Sequence, residues 1–311
     1  MTGGLDVDVV VVGGGPAGLS AALNLVRARQ RVLVLDGNRP RNAATLHSHG
    51  FLTRDGISPL ELRKLGREEV AQYDDAEVQF ALVDGVTAID GGFRVTATGV
   101  RGAPDQDVTA TRVLIAAGLR ETLPAIGNLR AFYGTALHSC YECDGYEKAG
   151  EALAVVGESD DLAERAMHAS VWSEDIIVFT NGVGEVSESD ERMLASSGIR
   201  VERRVVSEFV GERAQLTGLK LADGEVIART GGFVRPLWSG ALGFLDGLGA
   251  ETDNLGLLVV DAHGRTSVPG LYAAGDITPP GPEQLIVAAG TGAQVSATIV
   301  RDMVSARVPS I

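Results

Sequence analysis

Cysteine is almost absent from this sequence: 311 residues hold two, Cys140 and Cys143, both inside the stretch "ALHSCYECDGYE". Two cysteines cannot staple a disulfide scaffold, so chemistry, metal binding and packing are the roles left to them. Cations are also short, with 27 Lys and Arg against 41 Asp and Glu and a net charge of −14. Nucleic acid and anionic membranes reward clustered cations, so neither is an expected partner, whereas small molecules and neutral to basic proteins are. The longest apolar run, from residue 7 to about residue 26, is broken by Asp8 and by Gly13-Gly14-Gly15-Pro16. It reads as a buried strand leading into a helix, not as a membrane span. The opening "MTGGLDVDVV" lacks the positive stretch and apolar core of a secretory signal, so a cytoplasmic location is expected.

What is present is 45% apolar sequence, enough for two domains that each bury a core. Residues 6–12 form a near-continuous β-branched run, as in a parallel strand covered on both faces. Leu19, Ala22, Leu23 and Val26 then recur at helical spacing, and a second strand over residues 31–35 ends at Asp36, completing a βαβ unit. The same order returns at residues 152–156 (strand), Leu162, Ala166 and Met167 (helix face) and 175–179 (strand), without most of the first copy's glycines. "FRVTATG" and "ATRVLIAAG" alternate as strands, and near the end a strand stops at Gly275-Asp276 before a Pro/Gly loop and a helix from about residue 283 to 303. The expected class is α/β, with a discontinuous first domain (1–116 plus 245–311) and an inserted second domain (117–244).

Gly13-x-Gly15-x-x-Gly18 follows a strand and opens a helix. The first glycine allows the tight turn, the second lets backbone approach a pyrophosphate, and the third lets helix and strand pack closely. Free N–H groups at the helix start suit phosphate, and Asp36 suits ribose hydroxyls. FAD is favoured over NAD by "LYAAGD": Asp276 at a strand end can bond a ribityl chain or phosphate, and the following helix aims its N-terminus inward to favour the negative charge of a reduced flavin. Cys140-Tyr141-Glu142-Cys143 has the spacing of a redox dithiol, since two intervening residues let both sulfurs meet in one turn. A zinc site recruiting His138, Cys140, Cys143 and Asp144 is an alternative, weakened by the lack of a second cysteine pair, and simple core packing is another.

"VVVVGGGPAGLSAA", "LIAAG", "CYECDGYE", "TSVPGLYAAGD" and "EQLIVAAGTGAQVSA" stand in the order and spacing of the low-molecular-weight thioredoxin reductase family, which the chain resembles over nearly its whole length. The resemblance implies two Rossmann-like domains, one for FAD and one for NAD(P), in three-layer ββα arrangement, a homodimer, and a C-x-x-C disulfide on the inserted domain. It further implies that Cys143 faces the flavin, that Cys140 attacks an outside disulfide, that Asp144 is the acid/base and that Gln284 contacts the isoalloxazine. The implied partner is a thioredoxin-like protein or a small dithiol or disulfide, and no metal.

Two segments depart from that family. Its second phosphate loop is Gly-x-Gly-x-x-Ala, whereas this chain reads Gly157-Glu158-Ser159-Asp160-Asp161, placing three carboxylates around an anion site. One such like-charge contact costs about 4 kcal/mol at 4 Å before screening. No Lys or Arg occurs between Arg165 and Arg192, where a 2'-phosphate would need one. NADPH is therefore not expected to be an efficient donor. The second departure is "RNAATLHSHGFLTRDG", residues 41–56, which is more similar to the thioredoxin-reductase-like dithiol oxidases that pass electrons to oxygen. It places Asn42 among the flavin contacts and makes His49, or His47, a candidate proton shuttle. Three readings stand: an FAD-dependent thiol–disulfide oxidoreductase without efficient NADPH drive, an NADPH-dependent thioredoxin reductase, and a non-catalytic FAD- or zinc-binding module.

Overall fold

The computed structural model describes residues 5–279 and 281–307. They divide into two compact units: residues up to 43, 50–120 and from 238 onward in the first, and residues 44–49 and 121–237 in the second.

The first unit is built on a seven-stranded sheet. Strand Val7–Val12 lies between Val32–Leu35 and Gln106–Ile115, parallel to both, with Val9 opposite Val32 and Val10 opposite Val113. Ala76–Gln79 extends one side in parallel, and Leu271–Ala273 pairs with Gln106–Ile115. Helices Pro16–Arg27 and Leu285–Ser305 cover one face, burying Val9, Val11, Leu25, Val295 and Ile299 in one core. On the other face Val10, Val12, Leu33 and Leu35 pack with residues of the antiparallel strands Ala81–Ile89 and Gly92–Gly99. A strand buried on both sides has no polar face, which is why residues 9–12, past Asp8, are all apolar.

The second unit repeats the parallel scheme in five strands, ordered Arg200–Glu202, Ile176–Phe179, Leu153–Val156, Gly231–Val234 and Leu137–His138. Its central strand is fully buried between a core with Phe179 and Phe209 and another with Leu162, Ala166 and Phe233. The strands Val206–Glu212, Gln215–Leu221 and Val226–Ala228 form an antiparallel meander. No helix among the described residues is long and apolar enough to cross a membrane.

Candidate active site

In the first unit the glycine turn has the geometry its spacing implies. Gly13 takes φ +113, and a side chain there would overlap the Ala116 carbonyl; one at Gly18 would overlap the Gly13 carbonyl. A side chain at Gly15 would meet nothing within 4 Å, so this is the point where the turn faces open space. The helix Pro16–Arg27 begins there with no side-chain cap and no acidic residue in its first turn, leaving its N–H groups for an anion.

Asp36 lies at the end of its strand as expected, but the carboxylate is already engaged. Arg63 Nη2 donates to Oδ2 at 3.0 Å and the Asn38 backbone N–H donates to Oδ1 at 2.7 Å. Sequence reasoning gave Asp36 to ribose and missed Arg63, because that arginine arrives from the helix Pro59–Val70 with no motif to announce it. Asp276 sits in a short turn after Leu271–Ala273, where Gly275 packs against Ala17 of the first helix. Its Oδ2 accepts from Arg41 Nη2 at 3.0 Å, and Arg41 also reaches the Glu283 carbonyl. Gln284 is the extended residue that precedes helix Leu285–Ser305, and Asn42 is half-buried in the turn Arg41–Ala44. A small cavity there is lined by Gly275, Asp276, Thr278, Glu283 and Thr291 among others. The open Gly15, the uncapped helix start and this lined hollow fit an FAD.

In the second unit Cys140 and Cys143 are bonded to each other. Their sulfurs therefore offer no thiolates to zinc, and they are not separate packing residues. Cys140 begins the one-turn helix Tyr141–Asp144, and its sulfur accepts the Cys143 backbone N–H at 3.1 Å. The Glu142 carboxylate lies 3.7 Å from that sulfur. Tyr141 is buried, edge-on to Phe233 with ring centroids 5.0 Å apart and under the Arg165 guanidinium, 4.6 Å from its ring centroid. Burial pushes its hydroxyl above the ordinary tyrosine range and pulls the Arg165 guanidinium below the ordinary arginine range. Arg165 Nη2 also donates to the Ser139 carbonyl, which ties the approach to Cys140. Asp144 Oδ1 lies 2.9 Å from His138 Nδ1, and His49 Nε2 lies 3.5 Å from Glu147 Oε1. His49 thus belongs to the same unit as the Cys140–Cys143 turn.

The turn after strand Leu153–Val156 is filled by this chain's own groups. Arg235 Nε lies 2.8 Å from Asp161 Oδ2, and a side chain at Gly157 would collide with Arg235 and Leu162. Asn181 Nδ2 donates to Glu158 Oε1 at 2.7 Å, and Gly184 lies so close that a side chain there would press on the Ser159 carbonyl. The sequence reading found no cation here; Arg235 supplies one from the far end of strand Gly231–Val234, and Asp161 takes it.

A family model described as pyridine nucleotide-disulphide oxidoreductase matches residues 7–292. The chain belongs to that family. It is similar to thioredoxin reductases: one from Streptomyces coelicolor is 30% identical over 92% of this chain and 90% of its own. A solved structure of a provisionally named thioredoxin reductase, TrxB from Bacillus anthracis, is 35% identical, superposes with a TM-score of 0.90, and is covered over 97% of this chain and 100% of its own. The chain spans only 44% of the length of a provisionally named thioredoxin reductase from Arthroderma benhamiae, at 31% identity over 56% of this chain. This pyridine nucleotide-disulphide oxidoreductase is thus a thioredoxin reductase-like, flavin-dependent oxidoreductase with two Rossmann-like domains, and its family implies FAD.

Proposed function

We propose that the protein exchanges electrons between FAD and an outside dithiol or disulfide through Cys140 and Cys143, without efficient drive from NADPH. The observation that carries the reading is the turn at residues 157–161, whose Asp161 and Glu158 are taken by Arg235 and Asn181. A dinucleotide in the second unit would have to displace the Arg235–Asp161 pair and the Asn181–Glu158 bond, and would meet the carboxylates of Glu158 and Asp161. Bound FAD supplies a two-electron acceptor. Gly13, Gly15, Gly18, Asp36, Asn42, Asp276 and Gln284 hold it, within a domain formed by residues 1–116 and 245–311, while residues 117–244 carry the disulfide. Cys143 is the sulfur that meets the flavin, Cys140 the one that meets the substrate, Asp144 the acid/base, and His49 a proton shuttle.

The substrate is a small dithiol or disulfide or a thioredoxin-like protein, oxygen is the terminal acceptor in the oxidising direction, and the working form is a cytoplasmic homodimer. Anaerobic stopped-flow absorbance at the flavin band tests the central point. Dithiothreitol should bleach the flavin far faster than NADPH or NADH at micromolar concentration. Rapid bleaching by NADPH would restore the ordinary reductase reading. Cys143→Ser should abolish bleaching by dithiothreitol, and Cys140→Ser should lose turnover while keeping a thiolate-to-flavin charge-transfer band.

A further inference from the structure

We propose that His138 is the positioning residue of the Asp144 carboxyl, and that the two share the proton given to the Cys143 sulfur when the disulfide opens. The proposal rests on the thiol–disulfide reading above and extends it to a residue that sequence considered only as a zinc ligand.

His138 ends the two-residue strand Leu137–His138, pinned opposite Phe233 of strand Gly231–Val234. The chain then turns through Ser139 and Cys140 into Tyr141–Asp144, and the last residue of that turn comes back to the ring. His138 is 8% exposed and the Asp144 side chain 14% exposed. Each ring nitrogen faces an oxygen: Nε2 lies 2.8 Å from the Thr135 carbonyl, and Nδ1 lies 2.9 Å from Asp144 Oδ1. The second oxygen sits off the axis of the ring N–H, so this is a close polar contact and not an aligned hydrogen bond. A carbonyl can only accept, so Nε2 carries hydrogen. Nδ1 then either carries a second hydrogen facing a carboxylate, or is bare and faces a carboxyl O–H. A bare nitrogen against an ionised carboxylate would set two lone pairs together with little water to separate them. Both favourable arrangements hold one proton between the ring and the carboxyl.

On the acid/base role proposed above for Asp144, the residue next to Cys143 in sequence, that proton goes to the Cys143 sulfur. An outside thiolate attacks Cys140 Sγ, forming a mixed disulfide; the Cys140–Cys143 bond breaks, and its electron pair leaves on Cys143 Sγ, which takes the shared proton. The substrate's second thiolate then attacks its own sulfur in the mixed disulfide, closing the substrate disulfide and releasing Cys140 as a thiolate. The substrate has lost two electrons and the enzyme's sulfur pair has gained them. The pair recovers its proton when Cys143 next acts as a thiolate. The other titratable groups around this turn include Tyr141 and Glu142 on the turn itself, Glu147 with His49, Arg165 and His168 on the helix Leu162–Ala169, and Asp161 and Arg235. Arg165 is committed to the Ser139 carbonyl and the Tyr141 ring.

The test uses the full chain as purified with its flavin and follows single-turnover reduction by dithiothreitol across the neutral pH range. Asp144→Asn should slow reduction roughly a hundredfold. His138→Asn keeps an amide beside the carboxyl but cannot titrate; with flavin content and melting temperature near the parent's, it should be about tenfold slower and lose the parent's pH step. The double variant should be no slower than Asp144→Asn, because both changes remove one device. If His138→Asn does not accumulate, His138→Gln, which keeps the bond to the Thr135 carbonyl, gives the same comparison. A parental pH profile in the His138 variant, or additive losses in the double variant, overturns this proposal alone. Parental rates in Asp144→Asn overturn the acid/base reading of Asp144 and this proposal with it.

Discussion

Gly15 and Gly18 belong to one motif yet answer to different constraints. Gly18 is held by an intramolecular collision with the Gly13 carbonyl, whereas Gly15 faces open space at an ordinary φ of −82. Gly18→Val should therefore lower stability by about 1 to 3 kcal/mol, the usual cost of forcing bulk into a packed contact, and lower it with or without cofactor. Gly15→Val should melt like the parent when both are stripped of flavin, yet purify with little FAD. Thermal melts of the stripped proteins, paired with the absorbance ratio of flavin to protein, separate the two; a fully yellow Gly15→Val protein would remove that glycine from the binding site. The glycines were legible because backbone geometry is written locally, in residue type and spacing. Asp36 was legible in position only, since its Arg63 partner is 27 residues away and no local pattern links them.

At the scale of elements, the helix Leu285–Ser305 is fastened near its end by Asp302, which accepts from Arg265 Nε and Nη2 at 2.8 and 2.7 Å and from the Tyr272 hydroxyl at 2.8 Å. The Arg265 hydrogen bonds hold the Asp302 carboxyl below the ordinary carboxylate value of 3.8, and burial, helped by this same carboxylate, pushes the Tyr272 hydroxyl up to about 12. A depressed carboxyl stabilises the fold above its unfolded value and loses that contribution as pH falls through the folded value. Asp302→Asn should thus melt lower than the parent at neutral pH, by a gap that is flat down to about pH 5 and narrows below the ordinary carboxylate value. Melting curves from neutral to acidic pH check it, and a gap that widens in acid would reverse the sign. Elements themselves were read well from sequence: the strands near residues 7–12, 32–35, 153–156 and 176–179 and the final helix all lie within about two residues of their expected limits. What periodicity could not show is which element ends face each other, so Arg235 and His138 acquired their meaning only from the pairing of Gly231–Val234 with its two neighbours.

For the whole molecule, the net charge of −14 sets a long-range field that disfavours acidic substrates before any contact forms. A dithiol bearing carboxylates should react faster as salt rises, while uncharged dithiothreitol should show little change, because screening acts on the encounter and not on the exchange. Stopped-flow rates for the two reagents over a salt series decide this; an equal response would assign the effect to the turn itself. The two units also treat the same architecture differently. In one, the glycine turn faces open space at Gly15, and in the other the matching turn carries the Arg235–Asp161 and Asn181–Glu158 contacts. Arg165, on the helix that follows this plugged turn, also grips Ser139 and Tyr141. The turn bearing the two sulfurs is thereby braced by the chain's own groups. On the proposed function, such a sulfur pair answers to the ratio of thiol to disulfide around it and to the flavin behind it, and not to the supply of a soluble coenzyme.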